Sequence, residues 1–373
     1  MIVHAAPWVV PIAGPPLPDA AVAMDGDRVA AIGPRASLAA LGDVVEHGGV
    51  LMPGLVNAHL HLELSHLKIA GGDGLVPWIR RLMATRAQST ADGVSGDEAA
   101  TLAARAMAAR GTVAAVDISN DGRSAPQLSA AGIAPRMLRE RIGPRGADPT
   151  WNVAEDTAHA TYSCNAEALR ALSGPRGVAS IHVEEDPAEA AFLVDGDGPF
   201  ADFLRERGAP KSQPPGMRPI AWLESLGALG EGTLLVHLTV ADPASLQLAA
   251  KRSCIAVLCP RSNQHIGARL PDVAAIRAAG LRVALGTDSL ASCATLDVLG
   301  DVQLLARAGV EPAWLLRAAT EGGAHAFGNA ALGTLAVGRR PGLVAVGDDA
   351  RGLRDPEAWI AHEGADAPAR RVA

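Results

Sequence analysis

Eight short apolar runs, separated by segments with a helical pattern, constrain the fold of this chain more than any other feature of its sequence. Apolar runs of this length between glycine- and proline-rich breaks are typical of buried strands. Strands that alternate with helices form parallel sheets, so eight such units predict an α/β fold, a (β/α)8 TIM-like barrel. The runs are VLMPGLVNAHLH (50–61), TVAAVDIS (112–119), APRMLRERIG (134–143), DTAHATYSC (156–164), GVASIHVEE (177–185), GTLLVHLTV (232–240), CIAVLCP (254–260) and LRVALGTDS (281–289).

Two further segments carry clear local signals. SGDEAATLAARAMAARG (95–111) predicts a helix that Ser95 caps, with acidic residues in its first turn and Gly111 after its end. AVAMDGDRVAAIG (21–33) predicts a hairpin, because two apolar runs flank an Asp-Gly turn.

The composition excludes several classes of protein. With 373 residues, 49% of them hydrophobic, the chain is long enough for one large domain and a small appendage. The formal charge of -7 comes without a basic stripe, so nucleic acid is not an expected partner. The cysteines lack CxxC spacing, which argues against a disulfide framework or a thiolate metal site. Neither a signal sequence nor an apolar stretch of about 18 residues is recognisable, so we expect a cytoplasmic protein without membrane contact.

Polar side chains stand at the C-terminal ends of several predicted strands, where barrels of this type keep their chemistry. His59 and His61 are two residues apart, so on a strand they point to one side, towards the interior. His182, His237 and Asp288 end three further predicted strands. Together these side chains form a nitrogen- and oxygen-rich set that suits a divalent metal.

Each of these residues also has an ordinary interpretation. An HxH pair arises by chance in many sequences, a single buried histidine is more often a hydrogen-bonded core residue, and the aspartate of GTDS is a common turn cap. The joint placement at separate strand ends favours the metal site, and Glu185, three residues after His182, adds a carboxylate beside it. Structural roles are expected for the outlying His4, His47, His325 and His362.

Several motifs together resemble the amidohydrolase superfamily, in particular its cytosine- and adenosine-deaminase-like metal-dependent hydrolases. PGLVNAHLHLELS (53–65) is similar to the first-strand motif PGxxNxHxHxxxS, AHATYSC (158–164) to HAPYS, and IHVEE (181–185) to HxxE. CPRSN (259–263) and ALGTDSLAS (284–292) match the seventh and eighth strands of that family.

The resemblance implies a role for each residue at the strand ends. His59, His61, His182 and Asp288 become the metal ligands, Glu185 a proton shuttle, and His237 a residue that orients the reacting water. It also implies a small composite β-sandwich domain built from 1–50 and 333–373, with 51–332 as the hydrolase barrel.

One divalent ion per chain is expected, zinc first and iron second. Members of the superfamily with two metals commonly bridge them with a carboxylated lysine or a glutamate from the middle strands. Lys68, Lys211 and Lys251 all lie outside the predicted strand ends. Glu140 could in principle bridge, but a contact with substrate or with a metal ligand is the better interpretation.

The expected reaction is attack of metal-bound hydroxide on a ring carbon that carries an amino group, because a divalent ion lowers the pKa of its water towards neutrality. Glu185 would protonate the neighbouring ring nitrogen and later the departing ammonia. Asp288 would accept the water proton, and His237 would stabilise the developing oxyanion.

Two long segments, 62–86 and 186–227, are expected to form lids over the barrel mouth. They resemble those of aminodeoxyfutalosine deaminases, which implies a purine-type nucleoside as substrate, such as aminodeoxyfutalosine or another adenosine derivative. Thr161 departs from the family, because it stands where HAPYS has proline. The candidate substrate contacts are His66, Trp78, Glu140, Arg141, His159, Tyr162, Arg261, Asn263 and His265.

Other functions stay open from the sequence. The same site would serve a hydrolase of another C–N or C–Cl bond in a heterocycle, such as an s-triazine chlorohydrolase or a cyclic amidohydrolase. A catalytically silent binding protein is a third class, but it would be expected to lack a ligand or the glutamate. The expected partner is a small heterocyclic molecule, and the oligomeric state is open, a homodimer included.

Overall fold

The structure of the chain is a computed structural model that describes residues 1–143, 152, 156–173, 177–208 and 213–373. Its strands, in chain order, are β1 (Ile2–Val9), β2 (Leu17–Asp25), β3 (Arg28–Pro34), β4 (Asp43–Glu46), β5 (Val50–Pro53), β6 (Leu55–Leu60), β7 (Thr112–Ser119), β8 (Ala134–Arg141), β9 (Asp156–Ala158), β10 (Ala179–Val183), β11 (Thr233–His237), β12 (Ile255–Leu258), β13 (Arg282–Leu285), β14 (Leu343–Val346) and β15 (Ala369–Arg371).

The helices occupy most of the chain between these strands. They are α1 (Arg35–Leu38), α2 (Leu75–Ala91), α3 (Asp97–Ala109), α4 (Ala125–Ala130), α5 (Ala166–Arg170), α6 (Pro187–Asp195), α7 (Pro199–Glu206), α8 (Pro219–Ser225), α9 (Pro243–Lys251), α10 (Pro260–Ile266), α11 (Val273–Ala278), α12 (Val298–Arg307), α13 (Pro312–Arg317), α14 (Gly323–Phe327) and α15 (Pro356–Glu363). In the described residues, no helix combines the length and the apolarity needed to cross a bilayer.

Each of the eight apolar runs contains a strand, and these strands form two parallel sheets. One sheet has the order β6-β7-β8-β9 and the other the order β10-β11-β12-β13. Isolated parallel bridges link the two sheets at both edges, between Leu60 and Asp288 and between Ala160 and His182. The fold is therefore of the predicted α/β class with parallel sheets, and the C-terminal strand ends of both sheets lie together.

Both chain ends contribute to one further sheet of seven strands, in the order β15-β14-β5-β1-β2-β3, with β4 paired to β1. The predicted hairpin is confirmed, since Asp25 pairs with Arg28 across a turn that contains Gly26. We call these seven strands the terminal sheet.

The first predicted strand is divided in two at Gly54. Val50–Pro53 belongs to the terminal sheet and Leu55–Leu60 to the first parallel sheet. A Cβ on Gly54 would lie 2.3 Å from the Cγ1 of Val113, so the crossing between the sheets leaves no space for a side chain.

The predicted helix after Ser95 is present as α3, but its cap differs from the prediction. Gly96 is the N-cap residue, and Ser95 accepts a hydrogen bond at Oγ from the backbone N–H of Asp97 at 3.2 Å. The serine therefore caps the helix from one position further out, because the chain turns at glycine before the first helical residue.

The two expected lid segments lie over the C-terminal strand ends. The first segment supplies α2, and the second supplies α6, α7 and α8. Apolar side chains of α2 and α7, among them Trp78 and Phe203, belong to one buried cluster together with Tyr162, which follows β9. The lids thus pack on each other and on a strand-end loop, which encloses the space above the strands.

Candidate metal centre and active site

Four side chains from three strand ends place their ligand atoms close together. His59 and His61 come from the end of β6, His182 from β10, and Asp288 from the segment after β13. The Nε2 atoms of His61 and His182 are 3.2 Å apart, and Asp288 Oδ1 is 3.5 Å from His61 Nε2 and 3.9 Å from His59 Nε2. One ligand atom from each residue lies within 4.8 Å of all the others.

Burial and missing partners indicate that this group is built to hold a cation. His59 is fully buried, and neither of its ring nitrogens has a hydrogen-bond partner among the described residues. An unpaired buried polar group is costly, and a metal ion would supply the missing partner for one nitrogen. Three imidazoles and a carboxylate are the donor set of many catalytic divalent metals, so the residues fit such an ion.

The protonation states of His59, His182 and Asp288 also suit ligands, whereas at His61 burial is outweighed by the charges of Glu140 and Asp288, which raise the pKa of that ring. Burial, and then the neighbouring imidazoles, hold the pKa of His59 well below its usual range, and burial lowers the pKa of His182 to about 3. Burial opposes ionisation of Asp288, but His61, His237 and a hydrogen bond from Ser262 outweigh it and lower the pKa of that carboxyl. Neutral imidazoles and an ionised carboxylate are the forms that bind a metal.

Neighbouring groups orient the ligands. His182 Nδ1 lies 2.9 Å from the carbonyl oxygen of His159 and donates to it, which leaves Nε2 for a ligand bond. Asp288 Oδ2 accepts from the hydroxyls of Ser262 at 2.5 Å and Ser292 at 2.8 Å, so Oδ1 faces the histidines.

The backbone at this rim is strained. Positive φ angles occur at Glu184 (54°), His237 (82°), Leu238 (54°) and Asp288 (59°), all at strand ends around the site. Non-glycine residues adopt such angles only where the surrounding structure enforces them, and this often happens at functional sites. The strain is consistent with strand ends that are bent to aim side chains at one point.

Glu185 and His237 lie beside the four candidate ligands. Glu185 Oε1 is 3.5 Å from His237 Nε2, and Asn263 donates from Nδ2 to His237 Nδ1 at 2.9 Å. Burial, with the nearby Asp288 charge, raises the pKa of Glu185 well above its usual value, and burial lowers the pKa of His237 to about 4. At neutral pH Glu185 can therefore hold a proton while His237 is a neutral ring.

These groups form the floor of a cavity of 1440 Å³. Its walls come from both lid segments and from the loops that follow β8 and β9, and they are mainly apolar. The lining residues include Trp78, Ile79, Leu82, Met83, Phe192 and Phe203 on the lids and Glu140, His159, Thr161 and Tyr162 on the strand side.

Four of the predicted substrate contacts line this cavity, namely Trp78, Glu140, His159 and Tyr162. Glu140 Oε1 is buried, has no hydrogen-bond partner among the described residues and lies 3.5 Å from His182 Nδ1. Together with His159 and His182 it forms a second group of potential ligand atoms, but His182 Nδ1 is engaged there by the His159 carbonyl. Asn263 does not line the cavity and acts on His237 instead.

The other four predicted contacts do not line this cavity. His265 donates from Nε2 to the carbonyl of Ile69 at 2.8 Å, and Arg141 Nε lies 3.0 Å from Asp156 Oδ2. Arg261 binds Asp301 and the carbonyls of Thr295 and Asp297. His66 lies against Gly96, where an added Cβ would be 2.7 Å from its Nδ1.

These four residues are close to motif residues in the sequence, but their side chains do not line the cavity. A side chain within or near a motif can face away from the site, and its polar atoms then bind other partners, as Arg141 does with Asp156 and His265 with Ile69. We assign no substrate contact to His66, Arg141, Arg261 or His265.

A polar network at the cavity wall was missed from the sequence. Arg86 donates to Asn120 Oδ1 at 2.7 Å and to Glu63 Oε1 at 3.2 Å, while Glu63 Oε2 accepts from Ser119 Oγ at 2.6 Å. Asn120 Nδ2 donates to Glu140 Oε2 at 3.0 Å. The position of Asn120 directly after the second predicted strand was the available signal. Nothing in the sequence pointed to Arg86, which lies on α2.

Comparison with known proteins identifies sequences and structures that are similar to this chain. Residues 211–364 match the sequence profile of the amidohydrolase family. The aminodeoxyfutalosine deaminase of Deinococcus radiodurans is 34% identical over 184 residues, which cover 46% of this chain and 44% of that protein, less than half its length. The 5-methylthioadenosine/S-adenosylhomocysteine deaminase of Syntrophobacter fumaroxidans is 28% identical over 368 residues, which cover 87% of this chain and 79% of that protein.

A solved structure is similar over nearly the whole chain. The crystal structure of an adenosine deaminase from Xanthomonas campestris with bound zinc superposes with a TM-score of 0.77 at 26% identity, covering 97% of this chain and 88% of that one. Residues 211–364 of this chain are thus similar to the amidohydrolase family, and the chain as a whole is similar to proteins named as deaminases of 5-methylthioadenosine/S-adenosylhomocysteine and of adenosine.

Proposed function

We propose that this protein is a metal-dependent aminohydrolase that removes the amino group of a purine-type nucleoside, such as aminodeoxyfutalosine or another adenosine derivative. The observation that carries the proposal is the placement of Glu185 beside the buried His59, His61, His182 and Asp288 group at the floor of a large cavity. The names of the relatives, which are deaminases of such nucleosides, support it.

His59, His61, His182 and Asp288 hold the metal in this proposal, one divalent ion per chain. Zinc is the first choice because the similar adenosine deaminase contains it. When bound, the ion supplies positive charge that acidifies a water molecule and makes it nucleophilic at neutral pH.

Glu185 is the proton carrier. Its carboxyl is buried and its pKa is raised, so at neutral pH it carries a proton that it can donate to a ring nitrogen of the substrate. The ring carbon then accepts the water oxygen and loses its amino group. One proton of the water reaches the leaving nitrogen through Glu185 or Asp288, and the other remains on Glu185, where it replaces the proton given to the ring nitrogen. The products are the oxo-purine and ammonia.

His237 binds the oxygen that attacks the ring. Because Asn263 donates to its Nδ1, the proton of the neutral ring is on Nε2, 3.5 Å from Glu185. A donor fixed at this place stabilises negative charge that develops on an oxygen between the two side chains.

The cavity walls select a planar, largely apolar molecule. His159 and Tyr162 lie at the strand side, where the Tyr162 ring stacks on Phe200 with ring centroids 4.1 Å apart. Glu140 Oε1, which has no hydrogen-bond partner among the described residues, is available to a donor of the substrate, and Trp78 of the first lid also lines the cavity. A purine nucleoside combines a flat ring with donor groups and suits this surface.

The proposal includes the architecture that the site needs. The bridges at both edges support closure of the two parallel sheets into one eight-stranded barrel. The terminal sheet supports a small β-sandwich domain from 1–50 and 333–373 attached to a barrel of 51–332, although Val50–Pro53 extends the small domain by a few residues.

Ammonia release from a panel of adenine nucleosides, guanine and cytosine tests the function, with metal content measured in each preparation. We expect release from an adenine nucleoside and a loss of about 100- to 10,000-fold in Glu185→Gln, with one metal per chain retained. Release of halide from a chlorinated s-triazine, or ring opening of a cyclic amide, in place of ammonia would overturn the deaminase in favour of a hydrolase with another leaving group.

A further inference from the structure

Glu189 is a buried carboxylate that the proposed reaction does not use. It lies in the first turn of α6 and is fully buried. Thr161 Oγ1 donates to its Oε1, and the backbone N–H of Glu185 donates to its Oε2 at 3.2 Å. It has no ion pair with a cation in the described part of the chain. Its two oxygens therefore connect the loop after β9 with the backbone of Glu185.

Helix capping alone does not account for this arrangement. A glutamate in the first turn that accepts a backbone N–H stabilises a helix start equally well at the protein surface. Burial of an acid without a cation is costly, and here it raises the pKa of Glu189 to about 8. Hydrogen bonds from Thr161, in the cavity wall, and from the backbone of Glu185, the proton carrier, offset this cost.

The backbone of Glu185 is held from a second side. Thr239 donates from Oγ1 to the carbonyl oxygen of Glu185 at 2.6 Å. The preceding residue, Glu184, has a φ of 54°, a conformation that must be enforced by the surroundings. The N–H and the C=O of Glu185 are thus fixed by Glu189 and Thr239, at the point where the strand bends towards the ligands.

We infer that Glu189 is a positioning residue for Glu185, and that Thr161 fixes Glu189 for this purpose. The inference rests on the proposed function, since it assigns Glu189 to the placement of the proton carrier. Proton transfer depends steeply on the distance between the donor and the acceptor atoms. A rotation of the Glu185 backbone would move its carboxyl away from His237 and from the reacting ring.

The test compares Glu189→Ala with Glu189→Gln. The glutamine has the shape of a neutral carboxyl, so its oxygen can accept from Glu185 N–H while its amide donates to Thr161 Oγ1. We expect Glu189→Ala to lower kcat by about 10- to 100-fold with KM within about twofold of the wild type. Glu189→Gln should stay within about threefold of wild-type kcat, and metal content should be unchanged in both.

A second comparison is available if Glu189→Ala does not fold. It uses Thr161→Val, with Thr157→Val as the matched control. Thr157 is a buried threonine in β9 whose Oγ1 donates to the Ser180 carbonyl at 2.5 Å, away from Glu189. We expect Thr161→Val to lower kcat by about 3- to 10-fold and Thr157→Val to lower only stability. Unchanged kcat in Thr161→Val, or equal losses in both, would overturn the inference.

Hydrogen exchange of the segment 179–187 provides a measurement that does not depend on activity. The Glu185 amide should exchange faster in Glu189→Ala than in the wild type, and Glu189→Gln should restore its protection. If the wild type releases no ammonia from any substrate, the proposed function fails, and the exchange result still decides whether Glu189 holds Glu185. Equal protection in all three proteins, a loss confined to KM, or a glutamine variant as impaired as the alanine variant would refute the positioning role.

Discussion

Stacked, buried histidine pairs occur in two different regions of the molecule, and one pair from each region has nearly the same geometry as the other. His61 and His182 have ring centroids 5.3 Å apart and nitrogens 3.2 Å apart. His4 on β1 of the terminal sheet and His47, which follows β4, have ring centroids 5.2 Å apart and nitrogens 3.0 Å apart. Distance and stacking alone therefore do not distinguish a metal site from a structural contact.

The surroundings of the two pairs differ. His61 has Asp288 Oδ1 at 3.5 Å, and His59 and a large cavity adjoin the pair. The pair on the terminal sheet makes no ion pair with a carboxylate in the described residues, and no third ligand joins it. A divalent ion needs several donors and gains from an anionic one, so only the pair at the strand ends is suited to bind it. The neighbours of a buried histidine pair, and not its own geometry, therefore indicate whether it can bind a metal.

The largest expected difference between the pairs is in metal binding. His61→Ala should abolish stoichiometric metal binding. Loss of a residue that only hydrogen-bonds to a ligand already lowers metal affinity by about 10- to 100-fold, and loss of a ligand itself should lower it more. His4→Ala is the control and should retain one metal per chain and the activity of the wild type. Metal analysis after dialysis against a chelator checks both. Equal metal loss in the two variants would contradict the distinction drawn here.

A smaller effect is expected where a neutral residue orients a histidine at the strand ends. Asn263→Ala removes the donor to His237 Nδ1, so the ring can rotate or change its tautomer. We expect kcat to fall about 10-fold, with metal content and unfolding temperature close to those of the wild type. Steady-state kinetics on metal-loaded enzyme measure it. A normal kcat would show that the Asn263 contact does not orient His237.

The smallest expected effect concerns the terminal pair and the pH dependence of stability. Burial, with the charges of His4 and Arg370, lowers the pKa of His47 to about 4, from 6.5 in an exposed chain. The unfolded chain then binds a proton near pH 6.5 and the folded protein only near pH 4, so stability is lost as pH falls between these values.

Replacement of His47 by glutamine removes this titration. The free energy of unfolding should decline less between pH 7 and pH 5 in His47→Gln than in the wild type, by on the order of 1 kcal/mol. Urea unfolding at the two pH values measures the decline in each protein. An identical decline in both would show that His47 is protonated in the folded state as readily as in the unfolded chain.

Much of the fold could be predicted from local sequence. The eight apolar runs all contain strands, and six of the eight strands in the parallel sheets are buried along their whole length, which is typical of strands covered on both faces. One of these runs becomes two strands. VLMPGLVNAHLH is continuous in sequence, yet Gly54 divides it between two sheets. Hydrophobicity does not change at that point, so only the close approach of Val113 to the glycine shows the division.

The convergence of His59, His61, His182 and Asp288 could be predicted in the same way, since strand ends in this fold converge. The residues that line the cavity were harder to predict from the sequence. Tyr162 and Arg261 both belong to motifs, but Tyr162 lines the cavity whereas Arg261 binds Asp301 on α12. The direction of a long side chain depends on partners that are distant in sequence. For the same reason, no sequence pattern pointed to Glu189.

Sequence information was thus sufficient for the order of strands and helices and for the residues that end the strands, because periodicity and residue type are local properties. The tertiary structure alone decided which of two similar histidine pairs faces a carboxylate and a cavity, which arginines are occupied by aspartates, and that Glu189 reaches the backbone of Glu185. Those contacts join residues through folding of the chain, where burial makes each unpaired polar group costly and so determines its partner.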